Sequence, residues 1–463
     1  MDSPVNGAIL GTANLILDYP DLTRQSIALH AKQSEAVLDP ENFSPGFLLP
    51  AMDDAFREFA SVATAEWKAI GEYKGHRLTL LDLMGNPGTN TTKTFPSLLI
   101  VARAVAHIRE TGDRLMLLTP TSANKGVALR DAVWRAISSG LVEPEQLRVV
   151  TIAPRSCRHK LRASPLSRDP ELLRLNPLLL YSGENPEGVK AVGRAFATSY
   201  AGRLRKERDV TLWYSLDLVN YLVADTSRAF FEHAVSPTDE SGAPRWHVHS
   251  VSSAFGLLGY HAGREVLENA RLARPETRPG SLLVQHLGTP DMVLNLLHGD
   301  SSPSLLPEYS WDPESGLHHQ AGNDPHFPLT TFHPRENLES TFYTSRPATS
   351  PSMNGIIGRH GGEGIVVSLA EVIDRYPFLR AWLDVASVPL PADFRKLREW
   401  STAMALTGAL NAIDRGLVPA GREMAIHGSG TYTDDHFDPF DAHSAKTIET
   451  AEDVADILLE RTR

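Results

Sequence analysis

From Leu78 onward the chain alternates short apolar runs with helical segments, and this rhythm limits its fold more than any other feature. Residues 78–84 (LTLLDLM) read as a strand, 95–110 as a helix ending at Gly112, and 114–120 as a strand stopped by Pro120. Residues 124–137 read as the next helix and 147–154 as the next strand. A β-α-β-α-β order predicts an α/β fold, a parallel sheet with helices on both faces. The strand runs are apolar throughout, as strands buried on both faces require.

The pattern resumes with a strand at 178–183, a helix at 186–204, a further helix around 225–234, a strand at 246–252, a helix at 256–273 and a strand at 281–287. Strand-then-helix follows at 364–377, then a long helix over 393–415 and a final strand at 423–428. Residues 1–77, including the helically spaced apolar residues of 55–73, predict a helical N-terminal extension packed on a core of 78–463. Within that core, the section of about 95–190 is expected to form a smaller lobe, with the remainder forming a larger one. Residues 299–362, rich in Pro, Ser, His and Gly, read as an irregular insert, of the kind that is usually functional or mobile. The tail after residue 435 is too short to fold alone.

The chain has 463 residues, enough for two lobes around one site. Its net charge of −11 argues against nucleic acid, whose binders need clustered Lys and Arg, and favours a small-molecule partner. The single cysteine, Cys157, rules out an intrachain disulfide and fits a cytoplasmic setting. No signal peptide and no run of about 18 apolar residues is present, so no membrane association is expected.

Four loops carry candidate chemistry. Residues 85–95 (GNPGTNTTKTF) place Lys93 at a helix start, where the helix dipole disfavours its charge. Such a lysine can form a Schiff base, although one at a helix start is more often an ordinary surface group. Residues 119–126 (TPTSANKG) follow a strand and open a helix, a place suited to a carboxylate or to simple capping by Thr121 or Ser122. Residues 250–256 (SVSSAFG) repeat the arrangement with hydroxyls suited to a phosphate. Residues 427–432 (HGSGTY) bracket Ser429 with glycines that allow close approach of a flat ring.

Taken together, the four loops resemble those of the fold type II pyridoxal-phosphate (PLP) enzymes, the tryptophan synthase β, cysteine synthase and threonine synthase superfamily. Residues 220–232, 361–377 and 417–430 resemble further segments of that superfamily, in chain order from about 80 to 435. The resemblance implies two doubly wound lobes with PLP between them. It implies that Lys93 forms the Schiff base and moves protons at Cα, and that Asn124 bonds the cofactor's 3′ oxygen. By the same resemblance Thr121, Ser122 and Ala123 hold the substrate carboxylate. Ser252, Ser253, Ala254, Phe255 and Gly256 hold the phosphate. Ser429 faces the pyridine nitrogen, although another register would put His427 or Thr431 there.

The implied activity is elimination or replacement at Cβ or Cγ of an amino acid, through an aminoacrylate-type intermediate, in a specialised pathway. A serine- or threonine-type dehydratase or racemase is the near alternative. A catalytically inactive scaffold, or a metal-dependent hydrolase using the histidines, is the alternative of another class. A homodimer is usual for such enzymes. This chain departs from the family pattern in Phe95 after the lysine, Ala123 in the carboxylate loop and few glycines in the phosphate loop. The insert histidines His318, His319, His326 and His333, and His436, carry no metal-site motif. Arg346 and Arg359 are candidates for an anionic leaving group, and the basic run 155–168 reads as a solvated loop.

Overall fold

The computed structural model describes residues 7–31, 35–215, 217–235 and 245–459. The N-terminal part holds β1 (Ile9–Asn14), α1 (Pro20–His30), α2 (Asp54–Ala60), β2 (Thr64–Tyr73) and β3 (His76–Asp82). Then come α3 (Thr94–Thr111), β4 (Leu115–Pro120), α4 (Asn124–Ser138) and β5 (Leu147–Pro154). Two short helices, α5 (Pro165–Arg168) and α6 (Pro170–Leu175), precede β6 (Leu178–Tyr181), α7 (Gly188–Arg208) and β7 (Thr211–Tyr214). Next are α8 (Leu218–Asp225), α9 (Ser227–Val235), β8 (Arg245–Ser250), α10 (Phe255–Asn269), β9 (Gly280–His286) and α11 (Asp291–His298). The insert contributes β10 (Tyr309–Asp312), β11 (Leu317–Gln320), β12 (Thr330–Thr331) and α12 (Ser350–His360). The chain ends with β13 (Gly362–Val367), α13 (Leu369–Val385), α14 (Ser401–Asp414), β14 (Glu423–Gly428), β15 (Lys446–Ile448) and α15 (Ala451–Leu459).

The larger sheet has the order β1-β2-β3-β14-β8-β9-β13 and the smaller β15-β6-β5-β4-β7. The smaller is parallel throughout, and the larger is parallel from β3 to β13. This is the expected α/β class. β4 is buried at every position and α3 over nearly its whole length, so each lobe packs its helices on an apolar sheet. α3 stops at Gly112, whose φ of +73° is the left-handed turn that glycine takes without strain.

The structure corrects several expectations. The N-terminal segment is not a helical extension: β1 and β2 are antiparallel strands that extend the larger sheet. Residues 55–73 hold one short helix, and then Ala65, Trp67 and Ile70 turn inward from a strand. A mean helical spacing hid a strand of nearly two-residue period. The smaller lobe runs past residue 190 to β7 and takes in β15 and α15, so β14 is not the last strand and the tail completes the smaller lobe. The insert is partly regular, with a three-stranded sheet and a helix. The helix expected over 393–415 begins only at Ser401. The basic run 155–168 is not wholly solvated, because Lys160 and Arg162 are buried.

Candidate active site

The four loops meet in one cleft of about 420 Å³, within the roughly 300–1,000 Å³ typical of small-molecule sites. Each follows the C-terminal end of a parallel strand: β3, β14 and β8 side by side in the larger sheet, and β4 in the smaller. That is where open α/β sheets place their ligands. Of the residues expected there, Lys93, Thr121, Ser122, Asn124, Ser252, Ser253, Ala254, Phe255, Gly256 and Ser429 line it. Ala123 sits fully buried behind the loop at φ +111°. His427, Thr431, Arg346 and Arg359 do not line the cleft, and neither do the insert histidines.

Lys93 sits at the start of α3, on a loop tied to β14 by the Thr92 amide donating to the Ser429 carbonyl at 2.9 Å. Burial in the cleft wall lowers its pKa, opposed by the charge of Asp225 and reinforced by that of Arg228. Arg228 is held by Asp225 at 2.6 Å and donates to Thr92 Oγ1 at 2.8 Å and to His427 Nδ1 at 2.9 Å. Behind it, His427 Nε2 meets His247 Nδ1 at 2.8 Å, and His247 Nε2 faces Glu232 at 3.3 Å. Burial holds both histidines below their ordinary pKa. His427 of β14 therefore supports Arg228, and Ser429 is the member of its loop that lines the cleft.

The phosphate-type loop has the donors an anion needs. None of the amide N–H groups of residues 252–256 donates to an acceptor among the described residues. Ala254 takes φ +52° to start α10. A Cβ on Gly256 would lie 2.5 Å from Arg228 Nη1 and 2.6 Å from His249 Nε2, so only glycine leaves room there. Free amides at a helix start, with a guanidinium alongside, suit a phosphate. These residues fit PLP: a desolvated amine, an anion cradle and a neutral hydroxyl, Ser429, converge on one cleft.

The carboxylate-type loop divides its work. Thr121 Oγ1 accepts from the amides of Ala123 at 3.2 Å and Gly126 at 2.9 Å, so this hydroxyl caps the helix start. Ser122 stays half-buried on the cleft wall. Asn124 is fixed on both sides: its amide donates to Glu399 Oε2 at 2.7 Å, and its carbonyl accepts from Tyr432 at 2.8 Å. One amide proton is left for a ligand. Glu399 is itself clamped by Lys160 at 3.0 Å. From the insert, residues 341–344 and 347–349 line the cleft: Tyr343 meets Lys190 of α7, and Thr349 Oγ1 donates to the Ser253 carbonyl at 2.8 Å.

Sequence reasoning missed Glu399, Arg228, His249 and Lys125 as cleft residues. Local signals existed for Arg228, within the family-like segment 220–232, and for Lys125, directly beside Asn124 in the 119–126 loop. Burial, followed by the positive charge of Lys93, brings Lys125 down to about 7. A lysine so shifted weakens the fold below pH 10.5, because the unfolded chain keeps a proton that the folded chain gives up. Lys125→Met is therefore expected to raise stability at pH 7 by a few kcal/mol, on the order of the pKa difference converted to free energy. The gain should shrink as pH rises from 7 towards 10.5, where the unfolded chain also loses its proton. Urea midpoints at pH 7 and pH 10 check this, and a gain independent of pH would show that the amine is not desolvated.

Among the described residues, no helix is long and apolar enough to cross a membrane, and no group of three or more His, Cys, Asp or Glu side chains is placed to hold a metal. A family model described as "Family of unknown function (DUF6002)" matches residues 11–462. A search of curated proteins matched none. Among solved structures, the chain is similar to threonine synthase from Escherichia coli, at 14% identity and TM-score 0.49, over 97% of this chain and 82% of that one. It is similar to PLP-bound threonine synthase from Brucella melitensis, at 11% identity and TM-score 0.46, over 83% and 74%. It is similar to a fungal L-serine ammonia-lyase from Rhizomucor miehei, at 14% identity and TM-score 0.44, over 78% and 90%.

Proposed function

The chain belongs to the DUF6002 family of unknown function, and from that premise we propose that it is a PLP-dependent enzyme that eliminates or replaces a group at Cβ or Cγ of an amino acid. The observation that carries this reading is the meeting of Lys93, the free amides of 252–256 and Ser429 in one cleft. The order and content of the four loops support it independently.

When bound, PLP supplies the electron sink that makes a Cα–H bond acidic. The protein's own residues do the rest. The amides of 252–256 and the α10 start hold the phosphate, with Arg228 beside them. Ser429, a neutral hydroxyl on the cleft wall, would leave the cofactor's ring nitrogen without a proton donor as strong as a carboxylic acid, which would favour elimination over transamination. Lys93, disfavoured as an ammonium by burial, is the covalent amine and the base for the Cα proton. Ser122 and the loop amides orient the substrate carboxylate, and residues 341–349 exclude water. The substrate is a small amino acid. Lyase and transferase outcomes differ only in whether a second nucleophile enters the cleft.

The test is an absorption spectrum of the protein mixed with PLP and freed of excess, followed by borohydride reduction and peptide mapping. A band near ~410–430 nm, with the cofactor fixed to the Lys93 peptide, is expected. A protein that binds no PLP, or binds it without a lysine adduct, would overturn the proposal.

A further inference from the structure

The charged side chains on the cleft wall fall into two groups. Arg228 is paired with Asp225 at 2.6 Å, Glu399 with Lys160 at 3.0 Å and Lys190 with Glu187 at 3.3 Å. Lys93 and Lys125 have no carboxylate within ion-pair distance among the described residues. Lys125 is buried, and its Nζ donates to the Ser215 carbonyl at 3.0 Å, with Ser215 Oγ at 3.5 Å. Both amines face one ring: Lys93 Nζ lies 5.6 Å and Lys125 Nζ 5.7 Å from the centroid of Tyr221. Burial pushes the Tyr221 hydroxyl far above its ordinary range, so the ring brings no negative charge to offset them.

A buried ammonium with neutral partners and no carboxylate at ion-pair distance among the described residues is costly, and two such amines on one ring repel each other. The charge of Lys93 adds to burial in lowering the pKa of Lys125, so the two amines would resist holding two protons at once. We propose that Lys93 and Lys125 are a coupled amine pair sharing one proton near neutrality. In this pair Lys125 is the second acid–base group of the cleft, holding the proton while the Lys93 nitrogen is in covalent use. This rests on Lys93 being the covalent amine.

In an elimination the step balances without any outside reactant. Lys93, as a free amine, takes the Cα proton, and the Cα–H electron pair becomes the new carbon–carbon π bond. The bond from Cβ to the leaving atom breaks, and its electron pair departs with that atom. Lys125 gives its proton to the same atom and becomes neutral. The extra proton on Lys93 is then taken up by Lys125, the other amine facing the Tyr221 ring. A lysine brought near pH 7 suits this work, because either protonation state is within easy reach.

The test is competitive labelling with cyanate over pH 6–10 on cofactor-free protein, read by mass spectrometry of the Lys125 peptide. At pH 7 Lys125 should react roughly a hundredfold or more faster than surface lysines, whose amines are almost wholly protonated there. In Lys93→Met the midpoint should move up, because the neighbouring charge is gone. Lys93→Gln is a second neutral replacement should the first fail to fold. A midpoint in the ordinary lysine range, no labelling up to pH 9, or a midpoint unmoved by either variant would overturn the pair. In PLP-loaded protein, Lys125→Met should leave trapping on Lys93 intact and remove the near-neutral limb from the pH profile of ammonia release, and a limb that persists would overturn the acid–base role. The labelling needs no cofactor, so a failure to trap PLP on Lys93 sinks the proposed function while the coupling of the amines stays readable.

Discussion

Lys93→Ala mixed with PLP should show no absorption band of a lysine-linked cofactor and yield no adduct after borohydride. Amino-acid turnover, followed as ammonia release, should fall by at least roughly 10²–10⁴-fold, the range for removing a positioned acid–base group. The loss should be chemical rather than structural. Lys93 makes no ion pair among the described residues, and its loop is anchored through backbone contacts of Thr91 and Thr92 with Ser429 and Gly430. The free amides of 252–256 stay in place, so the variant should still bind PLP reversibly in equilibrium dialysis. An adduct on Lys125 in the variant and in the wild-type protein would move the covalent role to the second amine. A wild-type adduct on neither lysine would remove the enzyme reading.

Lys160→Met should cost about 3–5 kcal/mol of stability, because breaking a buried ion pair from one side strands the other. Lys160 is fully buried between Glu339 of the insert and Glu399 of the cleft wall. Burial opposes its charge, but the two carboxylates outweigh burial and hold the ammonium above the ordinary lysine range. Burial likewise opposes the charge of Glu339, and Lys160 holds that carboxyl below its ordinary value. In the wild-type protein Glu339 contributes stability above the unfolded carboxyl pKa, and this is lost as pH falls through the lower folded value. In the variant the stranded Glu339 carboxylate would sooner bind a proton, so its stability should improve as pH falls. The gap between the two proteins should therefore be smaller at pH 5 than at pH 8 in urea melts. A gap of equal size at both would show that the carboxylates find another partner. The same substitution frees Glu399 and with it Asn124, so PLP affinity should weaken together with stability.

Much of the site could be read before any coordinates, because each loop is a local event. A strand run, a few small or hydroxyl residues and a helix start lie next to one another in the chain, and 252–256 and 121–124 needed nothing more. The registers were legible to within a residue or two: Ser429 lines the cleft, while His427, two residues earlier, pairs with Arg228. What could not be read was contact across the chain. Glu399 stands 275 residues from Asn124, and no pattern near either announces the other. β15, three residues long, was missed for the same reason, since it draws its stability from a sheet assembled elsewhere.

By itself the sequence determined the α/β class, the parallel strands and the positions of the four loops that line the cleft, because hydrophobic period, turn chemistry and helix starts act over a few residues. Only the tertiary structure decided which charges those loops would meet. It buried Lys125 beside Lys93 without a counter-ion, and it sank Lys160, one cation of a run that reads as solvated, between two carboxylates. Desolvation and Coulomb energy depend on what surrounds a side chain in space, and those surroundings exist only after distant segments have packed.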